Sequence, residues 1–179
     1  MAESFSNALT RAAGIVTTSS AGSIGITTNL ITGISTGAVS VGNLIDNANF
    51  IAGTKVATIG AGQLTADRNS TNTSATTSQT VRFLGVTTAY TSAAATKSIL
   101  IGGTFANNTS NQVNLTLEVY DSSSGISAAI ASKIPVPAGS SFVISDTGKT
   151  LLEANDALRI YCDTANAIDA NLSILTGVA

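Results

Sequence analysis

The chain has 179 residues and a formal net charge of −2, with only 8 Lys and Arg between them. That length can bury one good-sized core or two small ones without metal or disulfide help. There is no His, no Trp and a single Cys, which removes Ser-His-Asp and Cys-His nucleophile arrangements, His-ligated zinc, CxxC redox pairs and any disulfide within one chain.

Charged residues make up 10% of the chain against a usual figure of about 25%, and Ser plus Thr supply about a quarter of it. Charge is scattered, so neither a nucleic-acid footprint nor a polybasic membrane patch is expected. Glu3 stands where a signal peptide would need positive charge, and no apolar run approaches the roughly 18 residues of a membrane span. These features predict synthesis in a cytoplasm and no membrane partner. Cys162 sits in a strand pattern and reads as a small buried hydrophobe rather than a reactive thiol. A surface poor in Lys and Glu suits burial against other subunits; the competing reading is that Ser, Thr and Asn keep the chain soluble alone.

Along the chain, residues 1–16 carry Phe5, Ala8, Leu9 and Ala12 at helical spacing, which predicts a short helix or anchoring arm, too short to be stable unaided. Residues 23–80 are rich in Gly, Thr, Ser and Asn, with apolar bursts at Ile24 and Ile26, Leu30-Ile31, Val39 and Val41, Phe50-Ile51, Val56, Ile59 and Leu64. Short strands joined by Gly turns follow from that pattern. Residues 67–79 hold no apolar side chain larger than Ala and read as a loop or linker.

From Val81 a period of two dominates. Val113, Leu115, Leu117 and Val119 share one face, with Asn114, Thr116, Glu118 and Tyr120 on the other. Leu158, Ile160 and Cys162 form a second inward set and Ile168, Ala170, Leu172 and Ile174 a third. Residues 97–105 add a strand with Ile99, Ile101 and Phe105 on one face, and 141–145 another. Turn signals fall at 107–108, 121–125, 137–139, 146–148 and 155–156. Short strands at about ten-residue spacing predict an all-β chain built as an antiparallel, jelly-roll-like β-sandwich.

Two stretches resemble known proteins. Residues 39–65, with Ile51, Gly53, Thr54, Val56 and Ile59 at their centre, resemble a small β module of phage fibre proteins. The start MAESFSNALTRAAG, the runs TKSILIGGTFANNT, IPVPAGSSFVI and LLEANDALRIYC, and the close DANLSILTG resemble small β-sandwich virion proteins of tailed phages that infect marine cyanobacteria. In that family the N-terminal segment leads quickly into the sandwich. The resemblance therefore implies a sandwich of residues 1–22 plus 80–179, with 23–79 inserted as a small β lobe. It also implies a non-enzymatic virion structural protein, a decoration or appendage component of head, neck or tail. Its partners would be other virion proteins and itself, with a trimer favoured. The alternative is a receptor- or polysaccharide-binding module of a tail fibre, whose partner would be a host-surface glycan.

No chemical motif competes strongly. The glycines of 60–62 and 22–25 lack the GxGxxG spacing of a phosphate cradle and read as turn glycines. Asp46, Asn47 and Asn49, and the segment between Asp163 and Asp169, offer oxygen ligands without the spaced carboxylates of a calcium loop. Glu118, Glu153 and Asp156 could be paired acids only if they flanked a groove, and no aromatic platform accompanies them. No catalytic residue, cofactor or metal is expected. Phe5 and Leu9 of the arm, with Glu118, Tyr120, Arg159 and Tyr161 on the polar faces of their strands, are the candidate interface residues, because Tyr and Arg are favoured at interface hot spots. The competing reading is that the two Tyr pack under a loop or pair across strands.

Overall fold

The structure, a computed structural model, describes residues 3–144 and 149–178. It is all-β and antiparallel throughout, and its contacts divide it into two compact units: residues up to Gly14 together with those from Thr87 onward, and Ile15–Val86. The first unit opens with β1 (Ser4–Ala13). The second holds β2 (Ile15–Ile24), β3 (Leu30–Thr32), β4 (Leu44–Asp46), β5 (Val56–Gly60), β6 (Gln63–Ala66) and β7 (Thr76–Gly85). The chain returns to the first unit with β8 (Thr87–Thr91), β9 (Lys97–Asn107), β10 (Val113–Asp121), β11 (Ile126–Val136), β12 (Ser141–Ile144), β13 (Thr150–Leu152), β14 (Ala157–Cys162) and β15 (Ile168–Val178).

The first unit is a two-sheet sandwich. One sheet runs β1-β15-β9, with β12 and β13 both paired to the far side of β9; the other runs β11-β10-β14-β8. Leu100, Phe105, Leu172 and Ile174 from the first sheet meet Leu115, Leu117, Leu158 and Ile160 from the second in one buried cluster, with Cys162 inside it. The alternation of apolar and polar residues places β10, β14 and β15 as their sequences predict, since a residue pointing inward must be followed by one pointing out.

β1 departs from the expectation. It is a strand, not a helical arm, and pairs with β15 from Ser4↔Thr176 to Ala13↔Ile168. A segment this short gains little from helical hydrogen bonds alone, whereas the β15 edge satisfies its backbone groups, and tertiary pairing overrides the spacing of Phe5, Ala8 and Leu9. β9 departs in its faces. Ser173 pairs with Gly102 but Ile174 pairs with Leu100, so Ile101 is an extra residue in a bulge. The bulge reverses the parity of the strand. Leu100 and Phe105 enter the core, while Ile99 and Ile101 are only half-buried.

The second unit is one six-stranded sheet in the order β4-β7-β2-β3-β6-β5. Its two edges are joined. Leu44 and Lys55 form an antiparallel bridge, the Ile45 N–H donates to the Thr54 carbonyl at 2.8 Å, and the Val56 N–H donates to the Asn43 carbonyl at 2.9 Å. The sheet thereby closes on itself at this seam. Ile24, Ile31, Phe50, Val56, Leu64, Val81 and Phe83 fill its interior. Of the expected bursts, Val39 to Val41 and Phe50-Ile51 lie in turns rather than strands, and β7 begins inside the stretch expected to be a loop.

The limits of the second unit are wider than the 23–79 expected, because β2 pairs with β7 from Ile15↔Gly85 to Ile24↔Thr76. The N-terminal half of β2 belongs with this ladder. The turn expected at 146–148 lies outside the described residues.

Candidate assembly interface

The six candidate residues fall on two different sheets of the sandwich. Phe5 and Leu9 lie on β1 and face away from the core, since Ala8 between them packs inward; each is 75% exposed. Register carries this face across the sheet. Phe5 stands opposite Leu175, Leu175 opposite Ile99, and Ile99 opposite Leu151, an unbroken apolar row over β1, β15, β9 and β13. Two rungs along, Leu9, Asn171, Thr104 and Val143 form a parallel row on the same face. Leu151 and Val143 are 47% and 55% exposed. Leu9, Arg11, Thr104 and Asn171 border a shallow depression on this face.

Glu118, Tyr120, Arg159 and Tyr161 lie together on the other sheet. Glu118 is directly opposite Arg159, and Tyr161 opposite Thr116. The Arg159 guanidinium lies over the Tyr120 ring, 3.5 Å from its centroid, a cation–π contact that also shields the aromatic face. Glu118 is 3% exposed and Tyr161 1%, so alternation correctly places them on the polar face without revealing that this face is covered. The Tyr161 hydroxyl shares hydrogen bonds with the Arg159 and Glu118 side chains; burial, then the Glu118 charge, push it up to about 12. The quartet interacts mainly within itself, although the buried Arg159 Nε has no hydrogen-bond partner, and Tyr161 presents no surface to a partner.

No protein-family model and no curated protein matches the chain. Among solved structures it is similar to a chain in the structure of the Gt strain of infectious bursal disease virus, with 10% identity and a TM-score of 0.30 over 96% of this chain and 55% of that one. It spans about half of that chain. A likeness this slight carries no argument about function.

The remaining acids are engaged locally. Asp156 accepts hydrogen bonds from the Ser122 and Glu153 N–H groups at 2.9 and 3.0 Å, tying two turns together, and Glu153 pairs with Lys97 at 3.4 Å. Asp46 pairs with Arg82 across β4 and β7. Asn47 accepts from the Asn49 N–H and donates to the Thr80 carbonyl. Asp163 holds the Asn114 backbone and side chain at 2.9 and 2.8 Å, and Asp169 the Ala12 N–H at 2.8 Å. Among the described residues no three metal-ligating side chains converge. Burial pushes the Cys162 thiol up. Gly53 and Gly62 occupy left-handed turns, with φ of 84° and 68°.

The sequence singles out Phe5 and Leu9 as candidates but not Leu175, Ile99, Leu151 and Val143, which share their face. The signal was faint. Leu151 sits beside Leu152 as an undivided apolar pair, Ile99 was assigned inward because the bulge is invisible to periodicity, and Leu175 continues β15 beyond the inward set.

Proposed function

We propose that this chain is a non-enzymatic virion structural protein, a decoration or appendage component of head, neck or tail that acts by binding copies of itself and other virion proteins. The observation that supports the reading is the face of β1, where Phe5 and Leu9 remain exposed on a folded sandwich. Large apolar side chains gathered on one face mark sites of association. The segments that resemble virion proteins of cyanobacterial phages fall on β1, β9, the β11–β12 turn, β13, β14 and β15, all in the sandwich unit, and the fibre-like stretch falls in the closed lobe. A glycan-binding tip would need exposed aromatic platforms; the three Tyr are buried or half-buried, and Phe5 is the large exposed aromatic among the described residues.

A particle-binding assay tests the proposal. Purified full-length protein should co-sediment with particles lacking it and show no retention on host-surface glycans. Retention on glycans without particle binding would replace the structural role with the fibre-tip role.

A further inference from the structure

The outer face of the β1-β15-β9 sheet, with β12 and β13 along its far edge, carries large apolar side chains set among uncharged polar ones such as Asn7, Asn171, Ser173 and Thr104, and few charges among the described residues. Its five strands hold only Arg11, Lys97 and Asp169 as charged residues. Arg11 and Asp169 lie toward one end, and Lys97, paired with Glu153, lies at the other. The ground between them is Phe5, Leu175, Ile99 and Leu151 in one row and Leu9 and Val143 in the next but one. We infer that this face docks against the same face of a second copy of the chain, related by a two-fold axis parallel to the strands.

Size and symmetry carry the choice of occupant. Four strand positions at about 4.8 Å and about eight residues at about 3.3 Å give a projected face of about 500 Å². Side chains standing out from it raise the accessible area toward the roughly 600–800 Å² per partner of a specific interface. An axis parallel to the strands turns each row end for end onto itself. Phe5 then lies over Leu151 of the copy, Leu175 over Ile99, and Leu9 over Val143. Each apolar row is covered by the same row, as in aligned sheet packing. Among the described residues no charge lies in the middle of the face, so they add little desolvation penalty there. This two-fold pair departs from the trimer that the family resemblance implies, and it rests on the reading that the chain acts by assembly.

Light scattering on the full-length protein at micromolar concentration reads the proposal. The wild type should have twice the monomer mass, and the double variant Phe5→Ser with Leu151→Ser should halve it while keeping its circular dichroism. A second variant, Phe5→Cys with Leu151→Cys, should form a covalent dimer on mild oxidation, whereas the wild type, whose single Cys162 is buried, should not. A monomeric or trimeric wild type, a Ser variant of unchanged mass, or a Cys variant that does not cross-link would overturn it. If the Ser variant does not fold, the cross-link alone decides. A monomer that still binds particles overturns the pair and leaves the assembly reading intact; one that binds none removes both.

Discussion

Asn107 ends β9 with a side chain that does the work of several backbone partners. Its Nδ2 donates to the carbonyls of Asn111, Val136 and Pro137 at 2.8, 2.9 and 3.1 Å, and its Oδ1 accepts from the Thr109 N–H at 2.9 Å. Three chain segments meet on one buried amide, although the sequence shows only a turn-like pair of asparagines. Asn107→Ala takes the amide donor from the buried Val136 carbonyl and the acceptor from the Thr109 N–H, and should cost about 1–3 kcal/mol in a urea titration. Titration divides two other residues. Asp121 is lowered to about 2 by the hydroxyls of Ser123 and Ser124 and their N–H groups. Its contribution to stability is present above the ordinary value of 3.8 and is lost as pH falls through about 2. Tyr161 works at the other extreme: its neutral phenol favours the fold below pH 10, and that advantage is lost as pH rises from there through about 12. Carboxyl carbon shifts should place the Asp121 midpoint near its lowered value, and replacing both serines by Ala should return it toward the ordinary one. Absorbance at alkaline pH, compared with Tyr161→Phe, should show the Tyr161 phenolate forming only near pH 12.

At the scale of elements, legibility followed from how regular each strand is. β10, β14 and β15 alternate cleanly because one side of each lies on the core, and their inward residues could be named from periodicity. Leu117→Ala at the centre of that core should cost about 2–5 kcal/mol, measured by denaturant unfolding, because the surrounding side chains close the gap only in part. β9 misled because a single bulged Ile101 changes which residues face in, and nothing local in Gly102-Gly103 announces where the bulge falls. β11 escaped notice for a related reason: its Ala-rich pattern has two register shifts against β10, which break any period of two. β1 was misread because three apolar positions at helical spacing can equally be two outward and one inward residue of a strand; only the β15 edge decides. The candidate interface was half legible for the same reason, since Phe5 and Leu9 are visible one by one while their row exists only through pairing with distant strands.

In the whole molecule, a closed lobe interrupts a sandwich between neighbouring points of the chain. Ile15 pairs with Gly85 at the base of the lobe, and on the sandwich side the Gly14 N–H reaches the Thr87 hydroxyl at 3.3 Å. Gly14 itself has no room for a side chain: a Cβ there would stand 2.3 Å from the Thr164 carbonyl, at a φ of +124°. Replacing 15–86 with a short Gly/Ser linker should therefore leave a folded sandwich, with slow amide exchange retained in β10, β14 and β15; loss of that protection would make the lobe integral to the fold. The period of two makes the all-β class legible, the insertion is only what the resemblance implies, and the β2–β7 ladder, which starts at Ile15, runs across the change in composition at residue 23. The claim that matters most is that this chain works as a built part of a particle. Quantitative mass spectrometry of purified virus particles from cells that produce the chain tests that proposal directly. Peptides from both units should be present together in the copy number of a structural component, and their absence from intact particles would contradict the account.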